Sequence, residues 1–166
     1  HLGLMPSNES REAAAQIERL GARIGGTVDL DAVLAIAAQA KPVAPAAPPH
    51  PPPKPRVRIG IAQDEAFGFY YPGDLAALRL AGAELVPFDT LRDVRLPDVD
   101  GVFIGGGFPE TRMEALEANR PMREAIAAFI EGGGPAYAEC GGLMYLARTL
   151  AWQGKVCSMA GVIPAD

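Results

Sequence analysis

Between residues 57 and 162 the chain alternates short apolar runs with stretches in which apolar residues recur every three or four positions. The runs at 57–62 (VRIGIA), 83–88 (AELVPF), 101–106 (GVFIGG) and 135–139 (PAYAE) have strand length, and 156–162 (VCSMAGV) is a candidate fifth. Between them, GDLAALRLAG sets Leu75 and Leu78 on one helical face and ends at Gly82. PMREAIAAFIEGGG sets Ile126, Phe129 and Ile130 on another face before its glycines. Strand and helix in alternation predict an α/β fold, a mostly parallel sheet with helices on both faces. In such sheets reactive groups collect at the C-terminal ends of the strands.

Upstream the period is helical. SREAAAQIERLGARI places Ala13, Ile17, Leu20 and Ile24 at helical spacing, and DLDAVLAIAAQA begins with Asp29 as N-cap before Val33, Leu34 and Ala37. Two short helices make a small core, so residues 1–40 read as the tail of a larger domain whose body precedes residue 1. Residues 41–55, KPVAPAAPPHPPPKP, hold eight of the sixteen prolines and cannot continue a helix or a central strand. At ~3.1 Å per residue in polyproline II they would reach roughly 45 Å as a semi-stiff spacer. The expected organisation is therefore 1–40, a linker over 41–56, and an α/β domain over 57–166.

Composition narrows the function classes. Hydrophobic residues make up 49% and charged residues 21%, which suits a globular protein, and no run approaches the ~20 apolar residues needed to span a bilayer. No membrane association and no secretory signal are read from it. The chain opens on His1 rather than Met, as a sequence beginning within a longer protein would. A net charge of -5 argues against an electrostatic grip on nucleic acid. Two cysteines, Cys140 and Cys157, are too few for a disulfide framework or a thiolate metal site, so no metal is expected, and a reducing cytoplasm fits.

The candidate chemistry lies in AECGG. Ala138 precedes Cys140 by two and Gly142 follows by two, the small-x-nucleophile-x-Gly spacing of a sharp strand-to-helix turn that leaves the nucleophile exposed above the sheet. A helix start also stabilises a reactive thiolate through its unpaired N–H groups and dipole. FIGGGFPE, residues 103–110, ends another strand in three glycines whose amides can approach a bound ligand. An acyl-transfer cysteine needs an oxyanion hole, and the expected donors are the N–H of Gly141 and one from Gly106 or Gly107. The cluster Phe67, Phe69, Tyr70 and Tyr71 suits a substrate pocket, a domain contact or simple packing. Cys157, Trp152 and Met144 read as packing residues.

Taken together, FGFYYPGDL, GAELVPFDTL, LPDVDGVFIGGGFPE and PAYAECGGLMYL closely resemble the class I glutamine amidotransferase domain of the cobyrinic acid a,c-diamide synthases, over residues 57 to about 162. The resemblance implies a flavodoxin-like domain truncated at its C-terminus, and it identifies residues 1–40 with the end of an ATP-binding domain. It implies that Cys140 attacks glutamine to form a glutamyl thioester and release ammonia. An upstream domain using ATP and Mg²⁺ would activate the a and c carboxylates of a corrinoid substrate, cobyrinic or hydrogenobyrinic acid, for amidation. The histidine that pairs with the cysteine in that family comes from a later strand-loop, which this chain does not reach before Asp166. His1 and His50 are not credible bases, so the chain alone is expected to show little or no glutaminase activity. An incomplete sheet edge would favour a homodimer. Other readings that stay open are a cobyric acid synthase type of amidotransferase and a non-catalytic or redox-sensing cysteine module of the same superfamily.

Overall fold

The computed structural model describes residues 13–42 and 51–166, which belong to two separate compact units. His1, His50 and residues 43–50 of the proline-rich stretch lie outside the described residues; Pro51 to Arg56 are exposed and carry no regular structure.

The smaller unit holds α1 (Ala13–Gly25) and α2 (Leu30–Ala37). Asp29 caps α2, its carboxylate accepting from Ala32 N at 2.9 Å. The apolar stripes expected from the spacing are present but open to solvent: Ile17, Leu20 and Ile24 on α1 and Val33, Leu34 and Ile36 on α2 are all exposed.

The larger unit is built on four parallel strands in the order β3-β1-β4-β6. Its elements are β1 (Val57–Ala62), β2 (Phe67–Phe69), α3 (Pro72–Leu80), β3 (Ala83–Phe88), β4 (Gly101–Ile104) and β5 (Gly106–Gly107). A 3₁₀ turn (Pro109–Thr111), α4 (Met113–Ala118), α5 (Arg120–Glu131), β6 (Ala136–Ala138) and α6 (Gly141–Leu146) follow, before β7 (Thr149–Trp152) and β8 (Lys155–Ser158). β1 and β3 pair in register over their whole length, from Val57 opposite Ala83 to Ala62 opposite Phe88. Gly82, at φ 97, makes the left-handed turn that lets α3 run directly into β3. Side chains alternate across β4: Val102 and Ile104 are buried, Ile104 in the core with Met122, Ile126 and Leu146, whereas Phe103 faces the other way against Tyr70 and Tyr137. This is the expected α/β architecture, and it brings the ends of β1, β4 and β6 side by side.

Three expectations change. The third run stops as a sheet strand at Ile104, because Gly106 and Gly107 leave the parallel sheet to pair antiparallel with β2. The candidate fifth strand is β8, an antiparallel partner of β7 with Thr149 opposite Ser158 and Trp152 opposite Lys155. Only Gln153 and Gly154, at φ 50 and 77, join the two, and a two-residue turn with positive φ closes a hairpin and leaves no room for the crossover a parallel neighbour needs. That hairpin also exposes Trp152 (42%), and Met144 is 40% exposed on the outer side of α6, so neither is a core residue. Cys157 is buried, as expected.

Candidate active site

β6 runs into α6 through two residues, Glu139 and Cys140, and the corner is sharp. Cys140 sits at φ 48, ψ -115, a conformation that side-chain-bearing residues rarely adopt and that persists only where surrounding contacts enforce it. Those contacts are backbone hydrogen bonds. Glu139 N donates to Ile104 O (3.2 Å), Gly142 N to Glu139 O (2.8 Å) and to Gly105 O (3.1 Å), and Met144 N to Cys140 O (3.2 Å). The corner therefore leans on the β4–β5 junction. A Cβ on Gly142 would lie 2.1 Å from Ile104 O, and one on Gly141 would lie 2.8 Å from Gly107 O and from Pro109 Cδ. The spacing rule anticipates the first requirement; the second comes from the glycine strand next door. Cys140 itself is exposed.

Gly106 and Gly107 are buried beside it. A Cβ on Gly106 would come within 3.8 Å of Cys140 Cβ, and one on Gly107 would collide with Ala66 O at 1.9 Å. The four residues singled out from the sequence, Cys140, Gly141, Gly106 and Gly107, thus meet in one place at the C-terminal ends of β4 and β6. The amide of Gly141 lies in the first turn of α6, where N–H groups have no partner within the helix.

The aromatic cluster divides. Phe67 is fully buried against Tyr145, with ring centroids 5.4 Å apart, while Phe69 is half-exposed edge-on to Phe108 and Tyr71 is 72% exposed. Tyr70 turns inward, its ring edge-on to Phe103 at 5.0 Å. Burial pushes its phenol up to about 12, so it stays protonated at neutral pH.

The loop after β1 is fixed by charges that the sequence reading passes over. Asp64 accepts from Ala66 N (2.7 Å), Phe67 N (3.0 Å), Thr90 N (2.7 Å) and Thr90 Oγ1 (2.7 Å). Burial raises its carboxyl above the ordinary range although these hydrogen bonds pull the other way. Next to it, Glu65 accepts from Arg92 Nη2 (2.6 Å) and Arg112 Nε (3.1 Å), and the Arg92 hydrogen bond above all holds it below its ordinary value. The readable signal is the aspartate two residues before a backbone turn, an Asx-turn pattern; the long-range arginines leave no local trace. Glu139 accepts from Tyr137 Oη at 3.1 Å and lines, with Asp74, Phe103 and Tyr137, a groove of about 650 Å³ along the sheet.

None of the described residues is a histidine. Among the described residues no three His, Cys, Asp or Glu side chains come together as a metal would need, and no helix is long and apolar enough to cross a membrane.

Comparison with known proteins gives a consistent result. Residues 58–166 match the CobB/CobQ-like glutamine amidotransferase domain. The chain is 48% identical to the cobyrinate a,c-diamide synthase of Magnetococcus marinus, over 100% of this chain and 37% of that protein. It is 44% identical to the synthase of the same name from Listeria monocytogenes serotype 4b, over 98% of this chain and 36% of that protein. With the Methanosarcina acetivorans synthase the identity is 44%, over 91% and 33% respectively. The chain thus spans about a third of the length of these relatives.

Proposed function

The chain belongs to the CobB/CobQ-like glutamine amidotransferase family, and on that premise we propose that it carries the ammonia-producing part of an ATP-dependent synthase that amidates the a and c carboxylates of a corrinoid. The names of its relatives support the corrinoid substrate. The observation that carries the glutaminase reading is the strained Cys140 corner with the glycine run against it.

Cys140 Sγ attacks the side-chain carbonyl carbon of glutamine, and the carbonyl oxygen becomes an oxyanion. Gly141 N–H is one donor to it. For the second we assign Gly107 rather than Gly106. Gly105 O is bonded to Gly142 N and Gly107 O faces Gly141, whereas Phe108 N turns away to Ala66 O. Backbone groups alternate in direction along a strand, so the N–H of Gly107 shares the α6 side. Collapse of the intermediate breaks the C–N bond, the thiol proton leaves with the amine as ammonia, and water later hydrolyses the thioester to glutamate and free Cys140. The resemblance assigns the proton transfers to a histidine later in the longer protein.

Among the described residues no three His, Cys, Asp or Glu side chains come together, and no step through ATP or Mg²⁺ is assigned to them. ATP with Mg²⁺ would act in the remainder of the longer protein, and the free thiols of Cys140 and Cys157 suit the cytoplasm. The test is Cys140→Ala in a protein spanning the length of the relatives. Glutamine-dependent amidation should fall on the order of a thousandfold or more, while added ammonium salt still supports it. Undiminished glutamine-dependent amidation would overturn the proposal.

A further inference from the structure

One inward-facing aromatic residue has no part in the chemistry above. Tyr70 Oη donates to Ala62 O at 2.5 Å, lies 3.3 Å from Phe103 O, and accepts from Gly105 N at 3.1 Å. Ala62 is the last residue of β1, and Phe103 and Gly105 flank the end of β4, so a single hydroxyl joins two neighbouring strands where both stop. The fit around it is close. A Cβ on Gly105 would come within 2.6 Å of Tyr70 Cε1, so only glycine lets the ring lie there. On the other side of Gly105 its carbonyl accepts from Gly142 N, in the first turn after Cys140, and the next residue, Gly106, runs past Cys140 Cβ.

The geometry points to Tyr70 as a positioning residue for glutamine hydrolysis. Its hydroxyl fixes Gly105, and Gly105 in turn holds the Cys140 corner and sets the course of the glycine run beside it. This rests on the reading of Cys140 as the glutaminase nucleophile. A Tyr70→Phe side chain keeps the ring contact with Phe103 but leaves Gly105 N without its acceptor and frees the strand ends to shift. Displacements well under the length of a bond are enough to matter when an attacking atom and its oxyanion donors must be aligned.

The experiment compares wild type, Tyr70→Phe and Cys140→Ala in a protein spanning the length of the relatives, with glutamine and with ammonium salt as nitrogen source. Tyr70→Phe should lower kcat with glutamine by about tenfold or more, leave KM for glutamine within about twofold, and leave ammonia-dependent amidation unchanged. A side chain with only a structural role would leave kcat per folded molecule intact or depress both nitrogen sources together, and either result overturns the inference. Should Tyr70→Phe melt below the assay temperature, all three proteins are assayed at a lower temperature at which circular dichroism shows the variant folded, and the same glutamine-selective loss must appear there. The Cys140→Ala control keeps the two failures apart: glutamine-dependent activity surviving in that variant sinks the glutaminase reading itself. Its loss there, beside a wild-type Tyr70→Phe, sinks only the role of Tyr70.

Discussion

Cys140 can hold φ 48 in a corner where Gly106, Gly141 and Gly142 add no side chains of their own. The glycines around it are not equivalent, and their substitution should separate stability from chemistry. Gly142→Ala would drive a Cβ to 2.1 Å from Ile104 O, a backbone atom that cannot step aside. Thermal or denaturant unfolding should show a loss of about 4 kcal/mol or outright failure to fold. Gly106→Ala meets Phe69 Cβ at 3.1 Å and Cys140 Cβ at 3.8 Å, contacts a small adjustment relieves; its unfolding free energy should stay within about 1 kcal/mol of wild type. Tyr145 presents the reverse case. Its hydroxyl is fully buried with no hydrogen-bond partner among the described residues, so Tyr145→Phe removes an uncompensated desolvation. The variant should unfold at equal or higher denaturant, by up to about 1 kcal/mol. At this scale the sequence was most informative at Cys140, where a spacing rule implies a steric one, and least informative at Tyr70 and Tyr145, whose hydroxyls differ in partners that lie up to 35 residues away.

Among the elements, β1 and β3 were legible to the residue because parallel strands inside a covered sheet are nearly continuous apolar runs bounded by polar turns. The apolar run at 101–106 is longer than the sheet strand it forms, Gly101–Ile104. Periodicity cannot tell that Gly106 and Gly107 pair with β2 instead, since that choice is made by Phe67 and Phe69 across the loop. The loop itself depends on two adjacent carboxylates with opposite pH behaviour. Glu65, lowered from its ordinary 4.5, contributes stability that is present above 4.5 and is lost as pH falls through its lowered value in the fold. Asp64, raised above 3.8, is most favourable when protonated, and its contribution declines as pH climbs from 3.8 through its raised value. Glu65→Gln should therefore flatten the acid limb of the stability profile below about pH 4.5 while changing neutral stability by less than about 1 kcal/mol. Denaturant unfolding across that range measures it; an unchanged acid limb would show that the Arg92 and Arg112 pairs do not hold the loop.

For the molecule as a whole, the larger unit places Cys140, the glycine run and the Tyr70 bridge at one end of the sheet, and those parts depend on the whole unit being folded. Alkali tests that dependence. Tyr70, held up to about 12, and Tyr145, raised further by burial, bind protons more tightly in the fold than when unfolded. Their contribution is complete below the ordinary 10 and disappears as pH rises through the folded values. Their phenolate absorbance should appear only together with loss of the far-ultraviolet circular dichroism, whereas ionisation of either while the dichroism persists would contradict the burial described. The central claim, that Cys140 is the residue that takes glutamine, is tested most directly by covalent capture. A protein spanning the length of the relatives is exposed to 6-diazo-5-oxonorleucine, an electrophilic glutamine analogue, digested and mapped by mass spectrometry. The account predicts a single adduct on the peptide carrying Cys140, prevented by excess glutamine. No adduct at Cys140, while iodoacetamide labels the same thiol readily, would contradict it.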